Sequence, residues 1–121
     1  LGQILLLTHG ALTTAIPIMQ GLEVDAARMR RNLDAGGGLM MAEAVMMGLA
    51  PRLGRGVAHE VVHHACAVAL AEGAHLPDTL ARDARVTAVL DTAGIARLTD
   101  PANYLGASGV FTNVVLSRLE A

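Results

Sequence analysis

The chain has 121 residues, a formal net charge of −2 and 53% hydrophobic residues, with only 17% charged against roughly 25% in ordinary globular chains. It has no Lys, nine scattered Arg, one Cys, one Tyr and one Phe. This excludes a basic nucleic-acid surface, an aromatic stacking platform and an internal disulfide framework.

A small domain has much surface for its volume and needs polar covering. So apolar a composition implies that something outside the chain covers part of it. The chain also starts at Leu1 rather than Met, with the apolar sequence already running. Both features point to a piece of a larger, oligomeric protein, and the lone Cys66 to a reducing compartment.

Leu1–Ile16 is apolar nearly all round, the pattern of a helix packed on several sides. Its longest unbroken apolar run is Ile4–Leu7, and no basic leader precedes it. A membrane span needs about 20 mostly apolar residues, so a buried soluble helix is expected, ended or kinked by Pro17 and Gly21. Asp25 is placed to cap a helix over Ala26–Leu33. Gly36-Gly37-Gly38 reads as a flexible joint. Leu39–Ala50 has strong helical propensity and meets Pro51. The longest clear helix is Val57–Glu72, closed by Gly73.

Short pieces follow: Asp78–Arg82 behind Pro77, Ala84–Leu90 capped by Asp83, and Ile95–Leu98. Asp100-Pro101 makes a turn, and Ser108 is placed to cap a last helix over Gly109–Leu119. No stretch alternates with period two. The predicted fold is all-α, with no internal repeat and no low-complexity segment.

The sharpest local pattern is His59-Glu60-Val61-Val62-His63. On a helix, residues four apart share a face, so two imidazoles can hold one zinc while the Glu activates a bound water. A third protein ligand is needed. Cys66 shares the stripe but lies about 10 Å along the axis from His59, too far for bonds of roughly 2.0–2.3 Å from one helix. Glu72 and His75 are other options, though neither lies on a separate downstream helix. An ordinary helix carrying two histidines is the plainer reading. No metal site is assigned, and a zinc hydrolase with His59 and His63 as ligands and Glu60 as base stands as the alternative.

Other residues take plain roles. His64 is out of phase with His59 and faces solvent or a subunit contact. His9 reads as a hydrogen-bonded core histidine. Cys66, between alanines and without a neighbouring cation, reads as a small packed hydrophobe rather than a nucleophile. Met40, Met41, Met46 and Met47 cover more than one helix face and suit adaptable packing. Arg28, Arg30 and Arg31 beside Glu23 and Asp25 form a solvated, ion-paired face. The Gly36–Gly38 run lacks the strand and Lys-Ser or Lys-Thr of a phosphate loop.

The order of segments carries more than any single motif. Gly21-Leu22-Glu23-Val24-Asp25 is followed by Arg28-Met29-Arg30, Asn32-Leu33-Asp34, Gly37-Gly38-Leu39 and Ala42-Glu43-Ala44-Val45-Met46-Met47. Leu49-Ala50-Pro51, Gly54-Arg55, Ala58-His59, Asp83, Val86-Thr87, Asp100-Pro101 and Asn103-Tyr104-Leu105-Gly106 continue it. This series, from Gly21 to Leu116, resembles the C-terminal domain of the fumarase/aspartase superfamily. Within that superfamily it is most similar to the carboxymuconate cycloisomerase family. The Gly36–Gly38 run is one Gly richer than the family pattern, and Ser108-Gly109-Val110-Phe111 fits its end loosely.

The resemblance implies a cytoplasmic homotetramer built on a long helical bundle, with residues 1–20 the end of a long bundle helix and residues 21–121 a small multi-helix C-terminal domain of the adenylosuccinate lyase/cycloisomerase type, acting on a small di- or tricarboxylate without metal or other cofactor. The implied reaction is lactonisation of 3-carboxy-cis,cis-muconate in the protocatechuate branch of the β-ketoadipate pathway. The implied base is a Ser in a mobile Gly-Ser-Ser-x-x-Met-Pro-x-Lys loop, which this chain does not contain; its serines are Ser108 and Ser117. No catalytic or cofactor-binding residue is therefore assigned here, and the chain alone is expected to be inactive. The resemblance also accounts for His59, since Ala58-His59 falls where these family members often carry His. The alternatives are an adenylosuccinate-lyase-type enzyme of the same superfamily, the zinc hydrolase, and a free-standing helical interaction module. Neither nucleic acid nor membrane is expected as a partner.

Overall fold

In a computed structural model, which describes residues 1–119, the chain forms α-helices and 3-10 turns, with no strand among the described residues. The helices are α1 (Gly2–Gln20), α2 (Ala26–Asp34), α3 (Ala42–Leu53), α4 (Arg55–Glu72), α5 (Leu76–Leu80), α6 (Ala84–Thr87), α7 (Thr92–Thr99) and α8 (Ser108–Leu119). Leu39–Met41 and Pro101–Tyr104 are 3-10 turns. The all-α expectation holds. The chain divides into two compact units, Leu1–Arg30 and the residues from Arg31 onward.

In the first unit, α1 buries none of its residues. Nothing among the described residues covers it, and His9, expected as a core histidine, is exposed. Thr13 and Thr14 donate their hydroxyls back to the carbonyls of His9 and Gly10 at 2.8 and 3.0 Å, which consumes their polarity inside the helix. The helix spans 19 residues with a mean hydropathy of 1.3, so it is long and apolar enough to cross a membrane. Pro17 neither ends nor breaks it: α1 runs to Gln20 and closes with Gly21 N donating to the Pro17 carbonyl at 3.0 Å. At the start of α2 the predicted cap is present, with Arg28 N donating to Asp25 Oδ1 at 2.8 Å.

The second unit is organised by α3 and α4. Met41, Val45 and Leu49 recur every fourth residue on one side of the α3 segment and are buried. On α4 the buried set is Ala58, Val61, Val62, Ala65 and Ala69, the spacing of a single helical stripe. Three of these five are alanines, so the two helices can pack closely, with Leu49 and Val61 fully enclosed between them. Leu76 and Leu80 of α5, Val86 of α6 and Ile95 of α7 complete the core. Thr79 is a buried polar side chain, and its hydroxyl lies 3.1 Å from the Ala65 carbonyl and 3.0 Å from that of Leu76. That satisfies it and ties α5 to α4.

Several boundaries differ from the predicted ones. Leu39–Met41 opens as a 3-10 turn, and α3 passes through Pro51 to Leu53. Proline removes one amide donor there, but the last turn still closes with Gly54 N donating to the Ala50 carbonyl at 2.9 Å. Helix α7 starts at Thr92, earlier than expected, because Asp91 caps it by accepting from Gly94 N at 2.7 Å. Ser108 does not cap α8: it is the first helical residue, and its hydroxyl donates to the Leu105 carbonyl at 2.7 Å.

The Gly36–Gly38 run is a defined turn rather than a flexible joint. Gly37 and Gly38 have φ of 61° and 80°, a region that L side chains rarely adopt. The turn lies against the α4–α5 connection, where the Gly37 carbonyl accepts from Leu76 N at 2.8 Å.

Leu49 is fully buried at the centre of this unit. Leu49→Ala is expected to lower stability by about 2–5 kcal/mol, measured by urea unfolding. A loss below about 1 kcal/mol would mean that α3 and α4 do not form the core described.

Candidate functional site

The His59-Glu60-x-x-His63 segment lies wholly within α4, which is held by the buried stripe on its other side. His59, Glu60, His63 and His64 are all exposed. The His59 and His63 rings stack one turn apart, centroids 6.1 Å apart and 17° from parallel. Neither imidazole is engaged in a hydrogen bond or ion pair among the described residues.

The residues proposed as further members of a zinc site are not brought to this pair. Cys66 is half-buried against the core, and burial pushes its thiol pKa up, so it remains protonated at neutral pH. Glu72 is paired with Arg82 at 2.6 Å. His75 lies beyond the end of α4, on the rim of a different cavity. Among the described residues no three His, Cys, Asp or Glu side chains converge as a metal-binding group.

Glu60, the candidate base, is claimed by a cation far along the chain: Arg85 Nη1 lies 3.2 Å from Glu60 Oε1. Arg85 also donates from Nη2 to Asp83 Oδ2 at 2.8 Å and from Nε to Asp83 Oδ1 at 3.1 Å, a two-pronged grip on the carboxylate. Asp83 Oδ1 accepts from Arg85 N as well, at 2.8 Å, and so caps α6. The side-chain bond from Arg85 holds the Asp83 pKa below its ordinary value, with smaller help from the capping bond and from nearby His64. The same bond, and that to Glu60, raise the pKa of Arg85. Sequence reasoning found the Asp83 cap but not the Glu60–Arg85–Asp83 chain, because its members lie 25 residues apart.

Concave regions occur at several places among the described residues. A cavity of about 440 Å³ lies between the Gly36–Gly37 turn and the end of α4, with Leu70 and His75 on its wall. A second, of about 340 Å³, is lined by His64, Val68, Thr79, Arg82, Asp83 and Ala84. A third, of about 660 Å³, runs along α3 past Met40, Glu43 and Met47 to Leu98 and Tyr104. The four methionines divide as their spacing implied: Met41 is buried and Met46 half-buried on the core side, while Met40 and Met47 are exposed.

None of these places joins a nucleophile to a base and an oxyanion-stabilising group, the minimum for covalent or acid–base catalysis. The architecture is that of a small all-helical domain. The family model for the adenylosuccinate lyase C-terminus matches residues 38–115, and the chain belongs to that family.

Over 120 residues the chain is 48% identical to the 3-carboxy-cis,cis-muconate cycloisomerase of Bradyrhizobium diazoefficiens, covering 99% of this chain and 27% of that protein. It is 44% identical over 115 residues to the enzyme of the same name from Pseudomonas aeruginosa, covering 95% of this chain and 25% of the relative. The crystal structure of beta-carboxy-cis,cis-muconate cycloisomerase from Acinetobacter calcoaceticus superposes with a TM-score of 0.83 at 39% identity, over 93% of this chain and 26% of that one. The chain thus spans about a quarter of the length of the relatives it matches.

The Asp83–Arg85 contact sets an acid dependence. Because the folded-state pKa of Asp83 is depressed, its contribution is fully present above the unfolded carboxylate value of about 3.9. It is lost as pH falls through the lower folded value. The stability difference between the parent and Asp83→Asn is therefore expected to be largest near pH 6–7 and to shrink toward about pH 3, as followed by urea unfolding across that range. A difference that stays constant with pH would show that the carboxylate charge is not involved.

Proposed function

We propose that the chain is the C-terminal part of a cytoplasmic cycloisomerase that converts 3-carboxy-cis,cis-muconate to 4-carboxymuconolactone in protocatechuate degradation. The observation that carries this reading is the identity to cycloisomerases along almost the whole chain. In the reaction a substrate carboxylate adds across a double bond and a proton is delivered to the neighbouring carbon, forming the lactone ring. No residue of this chain is given a catalytic role. The base is a serine in the Gly-Ser-Ser-x-x-Met-Pro-x-Lys loop of the longer polypeptide, and no metal takes part.

Residues 1–20 are the end of a bundle helix of the homotetramer, and residues 21–121 the terminal helical domain. The exposed apolar surface of α1 supports this, since Leu5, Leu12 and Ile16 are each more than half exposed in the isolated chain. Burial of such surface stabilises assembly by roughly 25 cal/mol per Å².

Two measurements test the proposal. The full-length polypeptide is expected to turn over 3-carboxy-cis,cis-muconate, seen as loss of the conjugated-diene absorbance, and Ser→Ala in the loop is expected to abolish it. Cleavage of adenylosuccinate without lactonisation would replace this reading with the adenylosuccinate-lyase type, which the family description favours as the second choice. The isolated chain is expected to be inactive and to self-associate through Leu1–Ile18. A monomeric elution near 12.5 kDa at high concentration would count against the bundle assignment.

A further inference from the structure

We propose that His59 and His63 form a two-point chelate for a late first-row divalent cation, bound most tightly as Cu²⁺, on the exposed face of α4. The two rings lie one helical turn apart on the same face, with centroids 6.1 Å apart. A ring nitrogen at roughly 2.0–2.1 Å from a shared ion puts each ring centre about 3.2 Å from it, so two rings around one ion sit about 4.5–5 Å apart. The rings come about 1–1.5 Å closer and turn out of their stack until a nitrogen of each points at the shared ion, a change of side-chain torsions that the exposure of both residues permits.

Three features of the surroundings favour the ion. The imidazole nitrogens are not engaged elsewhere among the described residues. The backbone carrying them is held by Ala58, Val61 and Val62, which flank the pair and are buried, so the spacing of the two ligands is set before an ion arrives. Glu60 is turned to Arg85 and adds no carboxylate, leaving a neutral nitrogen donor pair. Such a pair suits copper, nickel and zinc and discriminates against magnesium and calcium, with Cu²⁺ first in the order of affinity. Water fills the other positions, so the ion exchanges freely, unlike one in a four-ligand structural zinc site. This site is independent of the lactonisation reading, and no step of that reaction passes through it.

The test uses the full-length polypeptide, untagged and stripped of metal, titrated with CuCl₂ against glycine as a weak competing ligand. Uptake is followed by calorimetry and by electron paramagnetic resonance. One equivalent per chain is expected at this site, with nitrogen hyperfine structure from two imidazoles. His59→Ala and His63→Ala should each lose it, weakening binding by more than the roughly 10–100-fold that a supporting contact costs. His64→Ala, His75→Ala and Glu60→Gln should keep it, and circular dichroism checks that every variant is folded. ZnCl₂ should bind the same pair more weakly. The proposal is overturned if the parent takes up no Cu²⁺, if His63→Ala titrates as the parent does, or if His64→Ala loses the ion equally.

Discussion

The second unit depends on how closely α3 and α4 approach. Alanines at 58 and 65 leave room on α4 for the larger side chains Val45 and Leu49 of α3, and Leu49 is enclosed completely. Every shorter element then uses that pair as its support. Helix α5 adds Leu76 and Leu80 and is tied to α4 through the Thr79 hydroxyl. Helix α7 brings Leu98 against Gly48 so closely that an added Cβ there would lie 2.8 Å from the leucine methyls. Helices of four, five and eight residues have too few internal hydrogen bonds to persist alone. Their order comes from tertiary packing onto α3 and α4.

Where local chemistry sets an element, the sequence shows it. Helix α4 was legible to within two residues because Gly54 and Gly73 bracket it, and Asp25 and Asp83 were legible as caps because a carboxylate before a helical run has few other uses. Asp91 carries the same signal three residues before Gly94, and reading it would have moved the start of α7 to Thr92. Misreadings arose where a distant partner decides. Three glycines in a row look flexible, yet the Leu76 amide, far along the chain, pins the turn. Pro51 looks like a stop, but a proline in the last turn forfeits one hydrogen bond at a place where the helix is ending anyway.

The candidate site shows the same division. Two histidines four residues apart must share a helix face, so the stacked pair could be read directly from the sequence. A catalytic zinc centre demands more, namely a third ligand from elsewhere and a base free to take a proton. Both requirements are non-local. Arg85 engages Glu60, Arg82 engages Glu72, and the Cys66 thiol is packed toward the core. Arg82, in the connection between α5 and α6, and Arg85 of α6 thereby link this part of the chain to acidic side chains of α4. The acidic residue that completes the motif in sequence serves packing in the fold.

The apolar surplus in the composition is confined to particular places. Buried hydrophobics are concentrated between Met41 and Ile95, where the side chains interlock. The surplus sits on α1 and α8, where Leu5, Leu12, Ile16, Phe111, Val115 and Leu116 are each more than half exposed. A poorly packed domain would spread its exposed apolar groups through the core elements. Here the core elements expose a few apolar residues, Met47 and Leu70 among them, while α1 and α8 bury none. Large exposed apolar surfaces with this distribution mark faces that another surface covers. The middle of the chain thus has a core of its own, while α1 and α8 carry apolar side chains that the described residues leave uncovered.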